Sequence, residues 1–452
     1  LGNLTGYHNI TGNNNVYLGA YAGCYSKTGS DNIFIGKNAG YHADSAFSSI
    51  AIGTEAGSSS QDSSNIFIGN NAAKALYDGA NNIIIGESAG QEGYSGNRNI
   101  FIGNKAGFNN EVDLNIFIGN HSGYANTDGK ENVFIGDSAG ASNTTASWNV
   151  FIGESAGKFN TEGIGNVFVG EESGMNNTIG ERNSFFGCGT GHGNTSGTRN
   201  TTAGFYAGFY NTVGNRNSFF GTYSGTYNTS GNRNVFLGYA SGYHNDTASY
   251  NVFIGNYAGF NNAFGAQNIF LGNCAGYNHN EGNNNIFIGD SAGFSNSNGT
   301  GNIFIGNKAG YFANNTNELY IDNLAADSTN VLIYGQFDND SLWFNADVSI
   351  KHSLNIGFGS ASSVDMTNDL LVEDDIEIND DLFVDDSVGV GGNLGILGIL
   401  DISSNPYKPK IYTSDTQPDI PDNSTAFWHD TALEKYYMIV DFDGVEKKLE
   451  LQ

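Results

Sequence analysis

Seven acidic residues, Glu373, Asp374, Asp375, Asp380, Asp381, Asp385 and Asp386, crowd one short stretch of the chain. Carboxylates at that density can hold Ca²⁺, a hard cation that takes about six to eight oxygen ligands. Asp374, Asp375, Asp380 and Asp381 are the candidate ligands, and Ca²⁺ is the one cofactor they suggest. The competing reading is a solvated acidic face screened by salt. No EF-hand loop or glycine-rich calcium repeat accompanies them. Catalysis has little to work with. Two carboxylates facing each other across a cleft could hydrolyse a glycan. Glu55, Glu87, Asp137, Glu154 and Glu171 instead recur just after a glycine, in a turn expected to face solvent. The eight histidines lack a metal-ligand spacing, and Cys24, Cys188 and Cys274 fall too far apart to suggest pairing. Neither a nucleophile elbow nor a phosphate-binding loop occurs, so the expectation is a protein that is not an enzyme. Near the C-terminus Trp428, Tyr436 and Tyr437 are candidates for receptor contact, although a small β core would use the same residues.

The elements that must carry these residues are set by a repeat. From Gly2 to Gly306 an Asn, three apolar residues and a Gly return every 17 residues, shortened to 16 only at Gly69 and Gly119. A period that short is one coil of a solenoid, too small for a helix pair or a propeller blade. With 64 glycines and 4 prolines among 452 residues the chain reads as all-β and turn-rich. A net charge of -28 argues against nucleic acid or an anionic membrane as partner. No run approaches the ~18 apolar residues of a membrane span. The chain opens at Leu1 within a repeat, which reads as a fragment or a processed product.

Asn268-Ile269-Phe270-Leu271-Gly272, followed by Ala275-Gly276-Tyr277, is a clear coil. Alternate strand side chains point to opposite faces, so the Ile and Leu face one way and the Phe the other. The favoured arrangement places the outer pair inside the coil and leaves a Phe column outside, including Phe101, Phe134, Phe151, Phe253, Phe270, Phe287 and Phe304. A wider coil could instead enclose the Phe and turn the Ile pair outward. Either way one apolar face remains, and a strand apolar on both faces is one buried on both. Parallel self-association, with a closed three-fold as the favoured symmetry, is therefore expected. The repeated Asn, from Asn99 and Asn132 through Asn302, should stack as an amide ladder that satisfies turn backbone groups.

Ser49-Ile50-Ala51-Ile52-Gly53-Thr54-Glu55-Ala56 resembles the head repeat of YadA-type trimeric autotransporter adhesins, whose heads are parallel β-rolls trimerising through this strand. The coil here is about three residues longer and carries Phe at the small central position. Its longer form, Asn302 to Gly310, is similar to repeats of phage tail-fibre proteins. The resemblance covers roughly the first 310 residues and speaks to architecture more than to ligand.

Four regions follow: a β-roll shaft over 1–316, a small β connector over 317–365, a hexad-repeat region over 366–404 and a C-terminal β-hairpin module over 405–452. In the hexad region Leu370, Ile376, Leu382, Val388 and Leu394 recur every six residues. Such a pattern suits a triple-stranded β-helix in which each chain supplies one side of a thin core. The expectation is thus a homotrimeric extracellular fibre of a virion tail, injection device or cell surface. It would bind a cell-surface glycan or protein receptor and be anchored to a tail, baseplate or cell envelope, without membrane insertion. The alternative is a structural subunit of a filament or sheath assembled head to tail.

Overall fold

The structure, a computed structural model, describes residues 2–324, 328–346 and 348, and the strands at 410–414, 425–430, 435–442 and 445–451. The hexad region, with Asp374, Asp375, Asp380 and Asp381, lies outside the described residues. The chain divides into two units, 1–351 and 352–452.

The first unit is a single-chain parallel β-solenoid. Three-residue strands, β1 (Val16–Leu18) to β18 (Ile303–Ile305), follow one per coil. Each pairs in parallel with the next, so that Phe117 faces Phe134 and Phe134 faces Phe151 in strict register. The last coil adds β19 (Glu318–Ile321), parallel to β18. Two antiparallel strands, β20 (Ile333–Gln336) and β21 (Ser341–Phe344), then extend the same sheet.

The structure corrects the favoured facing of the strands. The Phe column fills the inside of the coil. Phe101, Phe134, Phe151, Phe253, Phe270, Phe287 and Phe304 are all buried, and the flanking Ile and Val point outward. The reason is geometric. Rings stacked at the strand spacing of the sheet pack nearly parallel, as in Phe253–Phe270, at 4.7 Å and 6°. One ring in most coils therefore fills the enclosed space, with Ala51, Ile84 and Thr202 taking its place at β3, β5 and β12, and the small residue of the Ala-Gly or Ser-Gly step closes it. The wide-coil arrangement is the one that forms.

Two glycines per coil make this possible. Gly136 ends its strand at φ 141°, and a Cβ there would overlap the carbonyl of Gly153 one coil on. Gly140, at φ 57°, lies against the core, and a Cβ would come within 2.5 Å of the Phe134 ring.

The expected Asn ladder is present. Asn132 N–H donates to Asn115 Oδ1 at 2.9 Å, and Asn132 Oδ1 accepts from Asn149 N–H at 3.0 Å. Asn132 Nδ2 donates to the Ala146 carbonyl at 2.9 Å. A second ladder runs through the following turn. Asn143 Nδ2 donates to Asn126 Oδ1 at 2.7 Å and Asn160 Nδ2 to Asn143 Oδ1 at 3.0 Å. Buried backbone polar groups must be paired, and these amides pair those that a three-residue strand leaves over.

In the second unit, β22 (Lys410–Ser414) runs parallel to β23 (Thr425–Asp430). Antiparallel β24 (Lys435–Phe442) and β25 (Val445–Leu451) complete a four-stranded sheet. The hairpin between β24 and β25 is the one the Asp443-Gly444 turn predicts.

Candidate functional site

The outward side of the solenoid strands carries two parallel files of apolar residues, one from the first and one from the third position of each strand. Ile116, Val133 and Val150 belong to the first file, and Ile118, Ile135 and Ile152 to the second. They are half-buried by neighbours in their own file yet stay open to solvent, with Ile102 at 37% and Leu237 at 47% exposure. In-register pairing keeps the files straight, and β-branched side chains suit the pleated surface. Contiguous apolar surface of this extent, rimmed by polar turns, is what an interaction face looks like.

The first file changes character in the middle. At β11 (Ser184–Phe186), β12 (Thr201–Ala203) and β13 (Ser218–Phe220) its residues are Ser184, Thr201 and Ser218. The second file there reads Phe186, Ala203 and Phe220. The core is also interrupted at β12. Thr202 replaces the Phe, is buried, and its Oγ1 has no hydrogen-bond partner.

Next to the strands runs an outer column of aromatic rings. Tyr243, Phe260, Tyr277, Phe294 and Tyr311 stack coil on coil, with centroids 4.9 to 5.1 Å apart and planes 1 to 8° from parallel. Their faces are occupied by one another, so edges rather than faces meet solvent. Aligning the sequence on its period makes this column legible, since these residues follow the Ala-Gly or Ser-Gly step in successive coils.

The acids after the strand glycines sit as expected. Glu87, Asp137, Glu154 and Glu171 are exposed. Glu55 is half-buried and pairs with Lys74 at 2.6 Å, and the bond to Lys74 holds its carboxyl below the usual range. Asp137, Glu154 and Glu171 follow in-register strands of successive coils, one carboxylate per coil. The three cysteines are free, and burial pushes each thiol up. Among the described residues there is no group of three or more His, Cys, Asp or Glu able to hold a metal ion. Among them no helix is long and apolar enough to cross a membrane.

In the second unit Trp428 and Tyr437 come together across paired strands, rings 5.3 Å apart and 26° from parallel. Both are buried, and the Lys448 ammonium lies 4.0 Å and 3.6 Å from the two ring centroids. That placement gives them the packing role that a small β core assigns to such residues. Tyr436 occupies β24 opposite His429 and Leu451, and its side chain lies outside the described residues.

No protein-family model, no curated protein and no solved structure matches this chain.

Proposed function

We propose that the chain is a non-enzymatic fibre protein that associates in parallel with two further copies along its outward strand face and serves attachment outside the cell. The observation that carries the reading is the pair of outward apolar files. Each copy presents the same period, so parallel copies can match coil for coil, and a three-fold closes the arrangement without leaving an open face. Fully burying an Ile or Val side chain contributes roughly 1.5–3 kcal/mol, and the files, already half-covered, would add a part of that gain at each coil outside β11 to β13. Three copies held together would also multiply weak surface contacts, raising avidity by ~10²–10⁴.

Light scattering on the purified chain tests the assembly. The expected species has a mass near three times 48.0 kDa, and a stable monomer would remove the basis of the reading. Substituting Ile118, Ile135 and Ile152 together by Ser should lower that mass while the circular dichroism of the solenoid is kept. Saturable binding of the intact assembly to cells would support attachment, whereas open-ended polymers without cell binding would favour a filament subunit.

A further inference from the structure

The chain carries 46 acidic and 18 basic residues, yet between Ser173 and Asn245 this balance inverts. That stretch contains four arginines and a single acid, Glu181. Arg182, Arg199, Arg216 and Arg233 are four of the five arginines in the whole chain, and they recur every 17 residues. Each sits two residues before its strand in the same left-handed conformation, at φ 56 to 58°. The backbone N–H of each donates one coil back, as Arg199 does to Glu181 and Arg216 to Thr198, at 2.9 and 3.0 Å. The four side chains therefore leave the solenoid from equivalent points, one per coil, at the ~4.8 Å spacing of paired strands.

All four are exposed. Stacked like charges repel, and little in the chain offsets them. Arg182 reaches Glu181 at 3.9 Å, while Arg199, Arg216 and Arg233 make no ion pair among the described residues. Arg233 donates to the Tyr250 hydroxyl and lies 5.1 Å from that ring's centroid, which closes the C-terminal end of the strip. On one side of it the outward strand residues switch from Ile and Val to Ser184, Thr201 and Ser218. On the other lies a cleft of about 400 Å³ lined by Thr198, Asn215, Asn232 and Ser249 as well as Arg216, Arg233 and Tyr250. Its floor is fixed by hydrogen bonds from Thr198 N–H to Asn215 Oδ1 and from Asn215 N–H to Asn232 Oδ1, at 2.8 and 2.9 Å. No carboxylate lines it.

We propose that Arg182, Arg199, Arg216 and Arg233, with the polar file from Thr198 to Ser249, form a binding strip for a linear acidic polysaccharide. Guanidinium groups present planar donor forks to carboxylate or sulfate, and a flexible chain of acidic sugars can meet a row of them. The hydroxyls and amides that line the cleft suit the hydroxyls of a sugar chain, whereas single-stranded nucleic acid calls for open aromatic faces to stack on, and the Tyr250 ring here lies under Arg233. A neighbouring copy in parallel register is disfavoured as well. At the height of the strip, its own residues after the strand are Cys188, Phe205, Thr222 and Tyr239, none of them acidic. The proposal deepens the attachment reading by naming its ligand class, and it rests on that reading for its setting.

The test uses the full chain and an Arg199→Gln/Arg216→Gln/Arg233→Gln variant against immobilised heparin, polygalacturonate, neutral dextran and single-stranded DNA. The wild type is expected to bind heparin or polygalacturonate and not dextran. Comparing the two acidic probes separates sulfate from carboxylate recognition. The variant should keep its melting temperature, bind at least about tenfold more weakly, and lose roughly two from its slope of log affinity against log salt. Unchanged affinity in the variant, or DNA bound in preference to both polysaccharides, would overturn the proposal. So would a fall in the variant's assembly mass with polysaccharide binding intact, since the strip would then be a contact between copies. If wild type and variant bind cells equally, the strip is refuted and attachment stands. If neither binds cells while polysaccharide binding remains arginine-dependent, the strip holds and the attachment reading fails.

Discussion

Phe134 and Phe151 stack in adjacent coils with ring centroids 4.8 Å apart and planes 6° from parallel. Neither ring is exposed. Removing one ring leaves a gap bounded by rings above and below that are held in place by their own coils, so the site cannot collapse. Phe151→Ala is therefore expected to cost about 3–5 kcal/mol. Urea denaturation followed by circular dichroism measures it, and a loss below 1 kcal/mol would contradict an inward-facing column.

Gly136 offers a contrasting case, because its constraint is backbone rather than core. At φ 141° with the Gly153 carbonyl in the way, Gly136→Ala should destabilise by about 2–4 kcal/mol although it adds a single methyl. The same change at Asn120, the exposed residue that follows a strand glycine one coil earlier, should be within about 0.5 kcal/mol. A difference in melting temperature between the two variants checks this.

The buried hydroxyl of Thr202 has no partner. Thr202→Val keeps the shape and removes the unsatisfied group, and a gain of about 1–3 kcal/mol is expected. Equal stability of the two proteins would mean that the hydroxyl is paired in solution.

His279 stands in the second ladder where neighbouring coils have Asn. Its ring nitrogens lie 2.8 Å from the carbonyls of Gly282 and Asn296, and Asn262 Oδ1, which an Asn at 279 would reach, has no partner. His279→Asn should therefore stabilise by about 1–3 kcal/mol at neutral pH. Burial holds the His279 pKa below the ordinary imidazole value, with the carbonyl contacts opposing that shift. A lowered folded-state pKa means that the unfolded chain binds the extra proton first. Stability should fall as pH drops through about 6.5 toward the folded value, and less so in the variant. Melting curves between neutral and mildly acidic pH should thus show the gap between variant and wild type widening. His192 and His244, also lowered by burial, contribute the same sign in both proteins.

The period, the parallel coil, the Asn ladder and the terminal hairpin were legible because each follows from residue types at fixed spacing. Which strand face turns inward was not. Three apolar residues in a row, as in Ile116-Phe117-Ile118, carry no polar alternation to read, so periodicity alone cannot choose. The choice is made by the turn, where Gly123 lets the chain pass against the Phe117 ring. The arginine strip went unread for another reason. Its residues sit at a turn position that holds Arg98 in one other coil and a mixture of Asn, Asp, Ser, Gln, Leu, Glu, Trp, Tyr and Gly in the rest, so the column appears only when coils are stacked. Trp428 and Tyr437 illustrate the converse. Aromatic residues near a chain end suggest contact with a partner, yet pairing of their strands brings them together under Lys448.

Both polar groups of the Asn132 side chain reach forward, the amide to Ala146 and the carbonyl to Asn149, and the pattern recurs at Asn166. A finished coil thus displays a ready-made socket for the segment synthesised after it, while the second Asn ladder and the turn N–H groups of that segment lean back on what is already in place. The solenoid can be laid down in the direction of translation, each turn templating its successor, with no long wait for a distant partner strand to emerge.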